Sequence, residues 1–207
     1  MDWASKRREM VQRQLHARGI RDERVLAAME EIPREEFVPE SQRASCYADE
    51  PAPIGYGQTI SQPYMTALMA ECLELTGTET VLEVGAGCGY HTAVLGALAA
   101  RVVSIELIPE LAEMARSNLA RTGRLGNVTV IVGDGSLGWP EEAPYDAISV
   151  EAAAVEAPPA LLEQLKDPGR MVMPVGPDWD QELLVLCKAG GRITRRVAAY
   201  CRFVPLR

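Results

Sequence analysis

Val81-Leu82-Glu83-Val84-Gly85-Ala86-Gly87-Cys88-Gly89-Tyr90 decides the fold of this 207-residue chain. The first four residues read as a short buried strand. Glycines at 85, 87 and 89 stop it, and a helical pattern runs from Thr92 to Ala99. A strand, a glycine turn and a helix together present backbone N–H groups and the positive end of a helix to a bound nucleotide. Glycine suits the turn because it tolerates unusual backbone angles and lets a ligand approach the main chain. Glu106 ends the next expected strand, Arg101 to Ile105. It lies about 20 residues beyond the turn, where an acid meets ribose hydroxyls.

The glycine spacing separates two nucleotide sites. A dinucleotide fingerprint, G-x-G-x-x-G, requires its third glycine at position 90, which is Tyr90. Gly85-x-Gly87-x-Gly89 following Glu83 resembles instead the first motif of the S-adenosylmethionine-dependent methyltransferases. Further along, Val128 to Val132, Ala147 to Val150 and Arg170 to Val175 read as strands. Helices starting at Pro109 and at Pro158-Pro159 alternate with them. This alternation predicts an α/β fold with a doubly wound, mostly parallel sheet. Leu183 to Cys187 and Ile193 to Phe203 are both strand-like, and only five residues, 188–192, separate them. A parallel crossover needs more, so the seven-stranded sheet must end in an antiparallel hairpin. The methyltransferase fold ends this way; the dehydrogenase fold does not.

On the N-terminal side, 5–18 read as a helix with Met10, Val11 and Leu15 on one side. Asp22 can cap a second, in which Val25, Leu26 and Met29 share a face. This extension either covers the sheet or reaches into the substrate cleft. Residues 37–60 read as a loop, and loops of that length are often lids or binding segments. A helix follows from Pro63, with Ser61 near its N-cap and Gly77 at its end.

The length suits one domain, 1–207, with 1–62 as helices and a substrate loop packed on it. A net charge of −8 argues against general nucleic-acid binding, which needs a basic face. No apolar run reaches the ~18 residues of a membrane span. Lys6-Arg7-Arg8 has no apolar segment behind it to make a signal peptide. A cytoplasmic protein with no membrane partner is the expectation. Five cysteines without a C-x-x-C, and two unrelated histidines, His16 and His91, predict no disulfide framework and no metal.

Longer matches name a family. They comprise Arg18-Gly19-Ile20 with Asp22-Glu23-Arg24-Val25-Leu26, Pro33-Arg34-Glu35 before Phe37-Val38-Pro39, and Pro53-Ile54-Gly55-Tyr56-Gly57-Gln58-Thr59-Ile60-Ser61-Gln62-Pro63. The glycine motif, Gly133-Asp134-Gly135 and the closing Arg202-Phe203-Val204-Pro205-Leu206 complete them. The chain resembles the protein-L-isoaspartate O-methyltransferases over nearly its whole length, and Ile54 to Pro63 is the most specific part. The resemblance implies methyl transfer from S-adenosylmethionine to the α-carboxylate of isoaspartyl residues in damaged proteins and peptides. It makes Ser61 the catalytic-site hydroxyl, with Thr59, Ile60 and Gln62 lining the substrate cleft. It makes Val204, Pro205 and Leu206 a C-terminal substrate wall. For the cofactor it implies Gly85, Gly87 and Gly89 at the methionine moiety, Glu106 at the ribose, Asp134 with Gly135 at the adenine edge, and Glu83 orienting the glycine loop.

Local readings stay open beside these. Ser61 also suits a helix cap, Asp134 a turn before glycine, and the C-terminal residues an ordinary strand end. The resemblance departs at two places. The family usually has Thr-Ala-Ala-Ala after the fourth strand, where this chain has Glu151-Ala152-Ala153-Ala154. It usually has Pro-Gly-Gly-Arg where this chain has Asp167-Pro168-Gly169-Arg170. A carboxylate at 151 would repel an anionic acceptor. Glu151 must point away, or meet a cation such as the cofactor's amino group, or act as a general base on another acceptor. A binding module that kept only the cofactor pocket is the remaining alternative.

Overall fold

A computed structural model describes residues 2–177 and 179–207. The N-terminal extension is α1 (Trp3–Met10), one π turn and one 3₁₀ turn through Arg18, then α2 (Glu23–Glu31). Asp22 caps α2, its carboxylate accepting from Arg24 N and Val25 N. After 3₁₀ turns at Arg34–Glu36 and Glu40–Ser45 come β1 (Ala52–Gly55) and β2 (Gln58–Ile60). These two pair antiparallel, so the expected loop over 37–60 ends in a hairpin. Then follow α3 (Pro63–Cys72), β3 (Thr80–Val84), α4 (Tyr90–Leu98), β4 (Arg101–Glu106) and α5 (Pro109–Arg121). The chain continues through β5 (Val128–Val132), β6 (Tyr145–Val150), α6 (Pro159–Gln164), β7 (Leu165–Val175), β8 (Gln181–Ala189) and β9 (Arg192–Cys201).

The main sheet has the order β5-β4-β3-β6-β7-β8-β9. β5 to β7 run parallel; β8 is antiparallel to both of its neighbours. This is the expected α/β sheet of seven strands, mostly parallel and closed by a hairpin. Each central strand feeds both faces. Val81 and Val102 pack with α1 to α5, while Leu82 and Val103 pack with α6 on the other side. The crossovers explain the division. β3 to β4 and β4 to β5 step one way across the sheet, so right-handed connections put α4 and α5 on one face. β6 to β7 steps the other way and puts α6 opposite. The step between the two directions falls between β3 and β6. Open α/β sheets bind ligands at such a switch point, beyond the carboxyl ends of the strands.

Candidate active site

At the switch point β3 delivers the glycine loop. Gly85 N donates to Ile105 O at 2.7 Å, and Gly85 has φ 97°, which an L side chain rarely adopts. A Cβ on Gly85 would lie 3.3 Å from Glu151 Cβ, and one on Gly87 3.3 Å from Ile54 Cδ1. Side chains there would crowd Glu151 and Ile54. Glu106, at the end of β4, is buried and accepts from Gly87 N at 2.8 Å and Ile108 N at 3.0 Å. One carboxylate thus fixes the glycine loop to the turn into α5 while lining the same pocket.

Thr59, Ile60 and Ser61 line the same pocket, as do Val204, Pro205 and Leu206. The C-terminal segment is held by backbone pairing: Ala153 N donates to Val204 O at 2.8 Å and Leu206 N to Ala153 O at 2.7 Å. A second pocket adjoins the first. Thr59, Ser61, Glu151 and Val204 line both, and Gln62, Tyr64, Tyr200 and Arg202 extend the second. Arg34 sits behind Ser61 and is fully buried. Its Nη2 donates to Ser61 O at 2.7 Å and its Nε to Cys46 O at 2.7 Å. Its guanidinium lies 4.8 Å from the centre of the Tyr90 ring, just after the glycine loop.

Three ionisable groups meet beside the pocket: His91 and Glu151 line it, and Glu83 is buried behind them. His91 Nδ1 lies 2.5 Å from Glu151 Oε1 and 3.8 Å from Glu83 Oε1. Glu151 Oε1 also accepts from Ser149 Oγ at 3.0 Å. Glu83 is fully buried, its Oε2 accepting from Thr92 Oγ1 at 2.5 Å and from Ser104 Oγ. Burial pushes the Glu83 carboxyl up to about 7, and the Glu151 charge adds to the effect. Burial pulls His91 down, but the Glu151 carboxylate outweighs it and holds the imidazole above its ordinary value.

Residues 5–207 match the model of the family described as Protein-L-isoaspartate(D-aspartate) O-methyltransferase (PCMT). The chain belongs to this family. It is 54% identical over 201 residues to the protein-L-isoaspartate O-methyltransferase of Methanoculleus marisnigri, covering 97% of this chain and 90% of that one. A solved protein-L-isoaspartate O-methyltransferase superposes with a TM-score of 0.85 at 31% identity, over 96% of this chain and 65% of that one. A Plasmodium falciparum protein described as a protein-L-isoaspartate O-methyltransferase, in complex with S-adenosyl-L-homocysteine, gives 0.83 at 26% identity. That match covers 97% of this chain and 98% of the other.

Among the family positions, Thr59, Ile60, Ser61, Gly85, Gly87, Glu106, Val204, Pro205 and Leu206 converge on the first pocket. Gln62 lines only the second. Four others stand apart from the lining of both pockets. Gly89 is needed where its Cα meets α5: a Cβ would lie 3.2 Å from Ala115 Cα. Gly135 is needed for packing, because a Cβ would come within 2.3 Å of Val84 Cγ1. Asp134 is exposed and accepts from Ser136 N at 2.9 Å, the turn reading of that residue. Glu83 orients α4 and β4 through Thr92 and Ser104 rather than the N–H groups of the glycine loop.

Two readings of Ser61 also change. The N-cap of α3 is Gln62, without a side-chain cap bond. Asp49 supplies the cap from outside the helix, accepting from Tyr64 N at 3.1 Å. The helix-end N–H groups are therefore engaged, while Ser61 lines both pockets. His91 is the residue that motif reading missed. Its one sequence signal was its place in the first turn of the helix after the glycine loop. Among the described residues, no group of three His, Cys, Asp or Glu is placed to hold a metal, and no helix is long and apolar enough to cross a membrane.

Proposed function

We propose that this chain methylates the α-carboxylate of isoaspartyl residues in proteins and peptides, using S-adenosylmethionine, and so takes part in protein repair. The observation that supports it most is the pairing of a glycine-and-Glu106 cradle with Thr59-Ile60-Ser61 in the lining of one pocket. The cofactor supplies an electrophilic methyl carbon on a sulfonium. Gly85, Gly87 and Glu106 would hold it; glycine backbone lining the pocket and the buried carboxylate beside it suit a methionine and a ribose. Asp134 with Gly135 would stand beyond Glu106 on the adenine side.

The acceptor carboxylate is ionised at neutral pH and already nucleophilic. The protein must place it in line and keep water out. Ser61 Oγ donates a hydrogen bond that orients it. Arg34 fixes the backbone carrying that hydroxyl, and the C-terminal segment 204–206 with Gln62 walls the peptide. We read 1–207 as one domain, because α1 to α3 share a hydrophobic cluster with β3 and β4. Five free cysteines fit a reducing cytoplasm, and the charge of −8 fits protein rather than nucleic-acid substrates.

One observation favours a second reading, a different acceptor with Glu151 as general base: Glu151 does line the pocket. Its Oε1 is already engaged by His91 and Ser149, which leaves it a poor base. Incubation with labelled S-adenosylmethionine and matched aspartyl and isoaspartyl peptides tests the reading. Label should enter only the isoaspartyl peptide, as a base-labile ester. Label in neither peptide, from protein that binds S-adenosylhomocysteine, would refute it.

A further inference from the structure

Glu151 stands at the seam of the two pockets, where it lines both together with Ser61. The inference that follows rests on the carboxylate acceptor proposed above. Such an acceptor, reaching Ser61, comes near the Glu151 carboxylate. At about 5 Å and an effective dielectric near 20, Coulomb repulsion would weaken binding on the order of a hundredfold. The structure holds a countercharge. His91 Nδ1 is 2.5 Å from Glu151 Oε1, and the imidazole is buried against both Glu151 and Glu83. The other ring nitrogen, Nε2, is buried without a hydrogen-bond partner among the described residues. On Nδ1, Glu151 at 2.5 Å is the nearer of the two carboxylates, Glu83 standing at 3.8 Å.

We propose that His91 is a positioning residue for acceptor specificity: as an imidazolium clamped to Glu151, it cancels that carboxylate's charge at the seam and admits an anionic acceptor to Ser61. The backbone leaves Glu151 little alternative. Its N–H donates to Val84 O at 2.8 Å, continuing the β3–β6 ladder, and its Cβ sits over Gly85. The side chain is thereby confined between the glycine loop and the first turn of α4. Neutralisation in place, rather than removal from the cleft, makes Glu151 compatible with the reaction. The ionisable groups around the imidazole are Glu151 at the end of β6 and Glu83 on β3; Glu106 and Arg207 line the same pocket.

The test compares wild type, His91→Gln, Glu151→Gln and the double variant on one isoaspartyl peptide, with S-adenosylhomocysteine binding measured by calorimetry for each. His91→Gln should raise KM for the peptide about tenfold to a hundredfold, with kcat changed much less. The double variant should return KM to within about threefold of wild type, because no uncompensated charge remains. A packing role for His91 would leave the double variant as impaired as the single one, and that result overturns the proposal. So does an unmoved KM in His91→Gln. Two further measurements stand if His91→Gln fails to fold. The chain has two histidines, so NMR resolves the His91 imidazole, whose titration midpoint should fall in Glu151→Gln. In addition, KM of wild type should rise with increasing pH as His91 loses its proton, and that of Glu151→Gln should stay flat. An unchanged midpoint, or equal pH profiles, refutes the ion pair. A wild type inactive on isoaspartyl peptide sinks the proposed function itself. An active wild type with an indifferent His91→Gln sinks this inference alone.

Discussion

Ser61 carries a carbonyl that Arg34 holds and a hydroxyl at the junction of two pockets. It does not cap α3, so its removal should spare the fold. Ser61→Ala is expected to lower kcat on isoaspartyl peptide at least tenfold while the melting temperature stays within about 2 °C. Wild-type turnover in the folded variant would remove Ser61 from the chemistry. Glu106 has two tasks, because the carboxylate that faces the pocket also fixes Gly87 N and Ile108 N. Glu106→Ala should weaken S-adenosylhomocysteine binding by about 1.5–3 kcal/mol, the range for hydrogen bonds to a charged group. Calorimetry checks it, and an unchanged Kd would take Glu106 out of the cofactor site.

Between α2 and α3 the chain has little regular structure, yet it carries Thr59, Ile60 and Ser61 of the pocket lining. Arg34 acts there as an internal brace, bonding Cys46 O and Ser61 O and stacking on Tyr90. Arg34→Lys keeps the charge but cannot span both carbonyls. We expect stability to fall by about 1.5–3 kcal/mol and kcat to fall about tenfold, with cofactor affinity moved less than threefold. Equal losses in cofactor affinity and kcat would show that the brace serves the whole pocket rather than Ser61. The same region shows where sequence reading stops. The parallel strands were legible because strands buried on both faces read as short apolar runs. The hairpin of β1 and β2 was not, since its strands have four and three residues and its turn puts Tyr56 at φ 53° in place of the usual Asn-Gly or Asp-Gly. The cap of α3 comes from Asp49, 15 residues away. Gly89 and Gly135 fitted a ligand motif, but their close neighbours are Ala115 and Val84, which only the packed fold brings to them. The partner of His91 is 60 residues distant, so neither residue alone announces the pair.

At the scale of the molecule, the reversal of crossover direction between β3 and β6 gathers acids from both strands. Glu83 comes from within β3, and Glu151 follows β6. Both approach His91, and the cluster has a consequence for stability. Burial, then the Glu151 charge, raises the Glu83 carboxyl from 4.5 to about 7. The folded state therefore prefers the protonated acid. Its stabilising contribution is complete below pH 4.5 and is lost as pH rises through about 7. His91, also raised, has the same sign: its contribution is complete below pH 6.5 and fades above it. Glu83→Gln removes the first of these. The amide can still accept from Thr92 and Ser104, but it leaves a buried N–H pair near His91, a cost of about 1–2 kcal/mol. At pH 5 the variant should thus melt slightly below wild type. At pH 8, where wild type carries an ionised acid in the core, the order should reverse. Thermal melts of both proteins at pH 5, 6.5 and 8 measure the difference directly. Carboxylates elsewhere, such as Glu79, which against burial is held near 2 by hydrogen bonds from Thr76 and Gly77, cancel in that comparison. A difference that stays constant across the three pH values would mean that Glu83 titrates alike folded and unfolded, and that the cluster does not raise it.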